Sequence, residues 1–79
     1  MIMDMVIEKR IGWNIRALRE RAKMTQEQLA AQLQLRGCDI TRSAVAKIEV
    51  GQRHVYVDEL MRIKEILKVS FDEIFDITK

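Results

Sequence analysis

The chain has 79 residues, 48% hydrophobic and 33% charged, with a formal net charge of +2 and one cysteine, Cys38. That length holds one small domain, 1–79, which buries roughly 60–65% of the surface its unfolded chain exposes, so every apolar residue at regular spacing is needed for the core. A lone cysteine excludes an internal disulfide and a four-cysteine zinc site. No apolar run approaches the ~20 residues of a membrane span. The apolar arm, residues 1–7, lacks the basic leader and small-residue cleavage site of a signal peptide, so the expected setting is cytoplasmic.

Charge is uneven along the chain. Residues 1–24 carry six bases and three acids, residues 25–54 four bases and three acids, and residues 55–79 four bases and six acids. A basic front and an acidic tail suit a polyanion-facing side with an acidic back, and many domains with neutral partners share the pattern.

Every periodic segment is helical. Ile7, Ile11, Ile15, Leu18 and Ala22 form one stripe of a 3.6-residue period, so the first helix is expected over about 7–21. Gly12 lies inside it at a cost of roughly 1 kcal/mol relative to alanine. Three further starts share one local signature. Thr25, Thr41 and Ser70 have hydroxyls that accept from first-turn amides. Each is flanked by a staple-spaced apolar pair: Met24 with Leu29, Ile40 with Val45, Val69 with Ile74. Gln28 and Glu73 complete capping boxes with Thr25 and Ser70. Helices are therefore expected from about Gln26, Arg42 and Phe71. Gly51 suits the left-handed residue after a helix ending near Val50. A fourth helix, about 57–68, carries Leu60, Ile63 and Leu67 on its stripe, with Met61 and Ile66 flanking.

The third helix has a distinctive outer face. Val45 and Ile48 point inward, while Arg42, Ser43, Ala46 and Lys47 present a small, basic, hydrogen-bonding surface. The major groove, about 12 Å wide, admits such a helix, and Arg or Lys reach base acceptors or phosphates; a solvated basic face is the plain alternative. Gln26 at the start of the second helix and Arg53 after the third extend the same possible anion-binding surface.

The run Thr25-Gln26-Glu27-Gln28-Leu29-Ala30, followed by Ile40-Thr41-Arg42-Ser43-Ala44-Val45-Ala46-Lys47-Ile48-Glu49-Val50-Gly51, resembles the helix-turn-helix of phage-repressor-type (Cro/repressor, XRE) DNA-binding domains. Residues 15–20 resemble that family's first helix, and residues 57–75 its fourth and fifth. The resemblance implies an all-α, compact five-helix, lambda-repressor-like fold (globule 8–77) that binds operator DNA, which makes the expected function that of a sequence-specific regulator of transcription, a repressor. Because one domain covers only roughly 600–1,000 Å² of DNA, a homodimer on a palindromic operator in double-stranded DNA is expected. Arg42, Ser43 and Lys47 would face base edges, with Ala46 near the groove floor. Gln26 and Thr41 would touch the backbone, with Arg36, Arg53 and His54 as further phosphate contacts. The resemblance also implies an ion pair between Arg19 and Glu49, which helical phase supports independently, since both border the apolar side.

One departure concerns the turn. Thr25 and Thr41 lie 16 positions apart, where the compact motif needs about 11. Either the second helix is longer or residues 34–39 form a true loop, with Gly37 allowing a reversal.

Other residues point to no chemistry. One histidine cannot complete a nucleophile–base–acid set, and His54 with Cys38 gives only two soft metal ligands. No enzyme activity, cofactor or metal is expected. Trp13 falls opposite Ile11, Ile15 and Leu18. Either Ile2, Met5 and Val6 fold back over it, or Trp13 and this arm pack against a second subunit; Ile74, Phe75 and Ile77 offer a second dimer surface. Two alternative functions stay open: an antitoxin-type autoregulator that also binds a partner toxin, and a protein-interaction module that has lost DNA binding.

Overall fold

The computed structural model describes residues 5–76. Five helices follow in order: α1 (Met5–Arg21), α2 (Gln26–Leu35), α3 (Arg42–Glu49), α4 (Val57–Leu67) and α5 (Phe71–Ile74). Three begin as their local sequences dictate. Thr25 Oγ1 accepts from the Gln28 N–H at 3.0 Å, and Gln28 Oε1 accepts from the Thr25 N–H at 2.8 Å. Ser70 and Glu73 repeat the reciprocal pair at 3.1 and 2.9 Å. Thr41 Oγ1 accepts from the Ala44 N–H at 3.2 Å, without the return bond because alanine has no acceptor to offer. The staple residues follow these caps inward: Leu29, Ile40, Val45, Val69 and Ile74 are buried, and Met24 packs against them.

The core gathers one stripe from each helix. Ile15 and Leu18 of α1, Leu29 and Leu33 of α2, Val45 and Ile48 of α3, Ile63 and Leu67 of α4 and Ile74 of α5 are all buried. The expected α1 stripe thins at both ends, where Ile7 and Ala22 are exposed. Met61 is also exposed, being off the α4 stripe. Gly12 explains its own helix cost. A Cβ there would run into the carbonyl oxygen of Ile48 and lie 3.1 and 3.2 Å from the carbonyl carbons of Ile48 and Glu49, so the missing side chain is what lets α1 lie against α3.

The lengthened turn is packed rather than free. α2 fills ten of the positions between its cap and that of α3. The connection that follows sends Cys38 and Ile40 into the core, and Gln34 Nε2 donates to the Ile40 carbonyl at 2.8 Å. Burial raises the Cys38 thiol above its ordinary range, with Asp58 and Glu59 adding to the effect, and keeps it protonated.

Helix ends explain a stability lever. After α3, Gly51 (φ 77°) donates to Ile48 O and Gln52 to Lys47 O, the paired bonds of a Schellman end. α1 and α4 end instead with lysines in the left-handed region, Lys23 (φ 57°) and Lys68 (φ 56°). A side chain there costs roughly 1–2 kcal/mol, partly offset in glycine by the entropy of its unfolded chain. Lys68→Gly is therefore expected to stabilise by about 0.5–1 kcal/mol, raising Tm by roughly 2–8 °C. A thermal melt that falls instead would show that the lysine side chain gives back more than its backbone costs.

The proposed dimer residues divide. Ile74 does not belong to a surface: it is 0% exposed, in the core beneath α1. It sits there because Asn14 Nδ2 donates to the carbonyls of Ile74 (3.0 Å) and Asp76 (2.7 Å), tying the end of α5 to α1. Trp13 (61%), Val6 (64%) and Phe75 (42%) are exposed. Ile2 and Ile77, and the side chain of Met5, lie outside what the structure describes.

Candidate nucleic-acid interface

The outward side of α3 is set by its inward one. Val45, Ile48 and Glu49 are buried, which by helical phase turns Arg42, Ser43 and Lys47 to solvent and leaves Ala46 half-buried beside them. Among the described residues, neither Arg42 nor Lys47 has an ion-pair or hydrogen-bond partner for its side chain. The start of α2 lies alongside. Lys23, Thr25, Gln26, Glu27 and Arg42 line one open cleft of about 520 Å³, floored by Arg19 and Met24. One concavity therefore joins the first turns of α2 and α3.

Beneath the cleft is a buried polar network. Glu49 is 1% exposed, and Arg19 grips it with two bonds, Nε to Oε2 at 2.7 Å and Nη2 to Oε1 at 3.0 Å. Arg19 Nη1 also donates to the Met24 carbonyl at 2.7 Å. Gln26 Nε2 donates to the same Glu49 Oε1 at 3.0 Å. The hydrogen bond to Glu49 raises the Arg19 guanidinium above its ordinary value against the opposing cost of burial. The network fixes the spacing of α1, the start of α2 and the end of α3, and holds the Gln26 amide at the cleft wall with one N–H to spare.

Three other expected contacts are held elsewhere. Arg53 donates to both oxygens of Glu59, at 2.9 and 3.1 Å, and to the His54 carbonyl at 2.8 Å, with its guanidinium over the Tyr56 ring. Burial pushes Glu59 up, but the Arg53 bonds and the Tyr56 N–H outweigh it and hold the carboxyl below its usual range. This pair closes the α3–α4 turn and caps α4. His54 Nδ1 lies 2.6 Å from Glu8 Oε1, which joins the same turn to α1. Arg36 is exposed but folds back on its own helix, donating to the carbonyl and side chain of Gln32.

Two contributors escaped the sequence reading. Lys23 enters the cleft because it ends α1 in a left-handed turn two residues before the Thr25 cap; a base two positions ahead of a helix cap is a signal that could have found it. Asn14, which places α5, carries no local signal, because its partners lie about 60 residues away.

Five short helices, with the second and third sharing a polar cleft and the third offering an unpaired basic face, define a helix-turn-helix domain. A family model described as Helix-turn-helix matches residues 15–74, well over half of the chain, and the protein belongs to that family, of the XRE type. It is a DNA-binding regulator of transcription. No curated protein and no solved structure matches the chain. No described helix is long and apolar enough to cross a membrane.

Proposed function

We propose that this regulator is a repressor that reads a palindromic operator as a homodimer, α3 lying in the major groove of each half-site. Arg42, Ser43 and Lys47 meet base edges, Ala46 approaches the groove floor, and Gln26 and Thr41 meet phosphates. The observation that carries this reading is the pair of unpartnered cations on α3 beside the cleft shared with the start of α2. Arg36, whose charge faces only a neutral glutamine, stays as an outlying phosphate contact. Arg53 and His54 drop out, their side chains being engaged by Glu59 and Glu8. One domain of this kind covers roughly 600–1,000 Å² of DNA-facing surface, and pairing two across half-sites one helical turn apart gains affinity.

Selection of bound sites from a random duplex pool tests this directly. A palindromic consensus is expected, with binding that falls steeply with salt, at a log–log slope of about −0.9 per neutralised phosphate. Arg42→Ala is expected to cost about 1–3 kcal/mol on the selected site and to relax its sequence preference. Gln26→Ala should weaken selected and random duplexes alike. Equal losses on both duplexes for Arg42→Ala would remove that arginine from base reading, and a pool with no enrichment would overturn the proposal.

A further inference from the structure

Resting on the operator reading above, we propose that Lys23 is a further contact to the DNA backbone, its ammonium meeting a duplex phosphate at the mouth of the cleft between the first turns of α2 and α3. Lys23, Gln26 and Arg42 line that opening of about 520 Å³ together. Lys23 is exposed, and among the described residues its side chain has no hydrogen-bond or ion-pair partner. Glu27 is the one acid among the described residues that line the cleft. Arg19 at the floor is answered by Glu49, so the charges left open are Lys23 and Arg42 against Glu27. Without Lys23 the remaining two would cancel. This lysine therefore decides whether the cleft is positive or neutral towards a polyanion.

The buried network places the Lys23 backbone as it places Gln26. The Lys23 N–H donates to the Glu20 carbonyl at 2.9 Å and the Met24 N–H to the Arg19 carbonyl at 3.1 Å, the paired bonds that close α1. Arg19 Nη1 returns to the Met24 carbonyl at 2.7 Å, while its other two nitrogens hold Glu49 at the end of α3. The chain just after Lys23 is thus tied to the residue that sets the spacing of α1 and α3. That closure holds Lys23 at φ 57°, a left-handed conformation in which glycine is the more stable residue. Lys68 ends α4 at nearly the same φ, 56°, but α4 contributes no residue to the cleft. Backbone strain is therefore common to both lysines, and position beside the cleft separates them. A lysine carries a compact charge on a flexible four-carbon stem, and contacts to phosphate carry no sequence information, so its contribution is the same for every duplex.

The salt dependence of duplex binding reads this contact. Each neutralised phosphate adds about 0.9 to the log–log slope, so a contact whose contribution vanishes near ~1 M salt is worth about four-fold in affinity at about 0.2 M and about fifteen-fold at about 0.05 M. Lys23→Gln should lose those factors on selected and random duplexes alike and flatten the slope by about 0.9. Lys23→Arg should keep both affinity and slope. Lys23→Gly should lose the same affinity yet melt roughly 2–8 °C above wild type, because the left-handed cost is relieved. Lys68→Gly removes an equal charge and a similar backbone cost, and should gain stability with its salt slope unchanged. A Lys23→Gln protein with the wild-type slope would overturn the proposal. So would a Lys68→Gly protein that loses slope as Lys23→Gly does, because net charge alone would then account for the effect. The operator reading fails separately. A wild type that binds duplexes without enriching any site, and whose slope still falls in Lys23→Gln, loses the operator and keeps the Lys23 contact. A wild type that selects a palindrome with a slope untouched by Lys23→Gln keeps the operator and loses the contact.

Discussion

Glu49→Gln is expected to leave the domain largely unfolded at physiological temperature. The substitution keeps the size of the side chain but removes its charge, while the Arg19 guanidinium stays buried against it. Breaking one side of a buried pair costs roughly 3–5 kcal/mol, because the remaining charge has no compensation and cannot shed its proton. A single core in a chain this short rarely supplies more than about 3–5 kcal/mol in total. Loss and reserve are therefore the same size. Circular dichroism of Glu49→Gln should show a helix signal that collapses far below the wild-type transition; a melt within about a degree of wild type would remove the pair from the account of stability.

The same network separates stability from function. Replacing both partners with apolar residues, Arg19→Met with Glu49→Met, removes the buried charges together, and such exchanges are often neutral or stabilising. The double variant is expected to melt well above Glu49→Gln. It also strips Gln26 of its acceptor at 3.0 Å and the Met24 carbonyl of its donor. Under the proposed operator reading, folding recovers and phosphate affinity does not, because the Gln26 amide is no longer held at the cleft wall.

What was legible in the sequence was what is local. The caps at Thr25, Thr41 and Ser70 each act across three residues, and all three form the bonds their spacing implies. The Arg19–Glu49 approach was legible from helical phase and the family resemblance together. Long-range closures were not. Arg53 looks like a free cation in a turn until the fold places Glu59 under it, and the acid that answers it also closes the first turn of α4 by accepting from the Tyr56 N–H. Ile74 looks like part of an apolar tail, yet its role as the staple partner of Val69 already placed it inward. In the lengthened turn only Ile40 was legible, through its staple spacing with Val45; the fold also turns Cys38 inward, so part of the extra length adds to the core.

Gly12→Ala sets a local preference against a packing limit, and packing is expected to win. Inside a helix, alanine gains about 1 kcal/mol over glycine, so α1 alone would be improved. Its new methyl group, however, meets the Ile48 carbonyl, which belongs to backbone and is already an acceptor for the Gly51 N–H at 3.1 Å. That oxygen cannot swing aside without opening the end of α3. α1 must lift instead, and overpacking of this kind typically costs 1–3 kcal/mol, more where backbone has to move. A net loss of about 2 kcal/mol corresponds to a fall of roughly 8–16 °C in Tm for a domain this small. The displaced crossing also separates Arg19, two turns further along α1, from Glu49 on α3, so losses in DNA affinity are expected even where the variant remains folded. A Gly12→Ala protein that melts above wild type would mean that α1 and α3 yield at no cost, and that the position of the reading helix is set by something other than this contact.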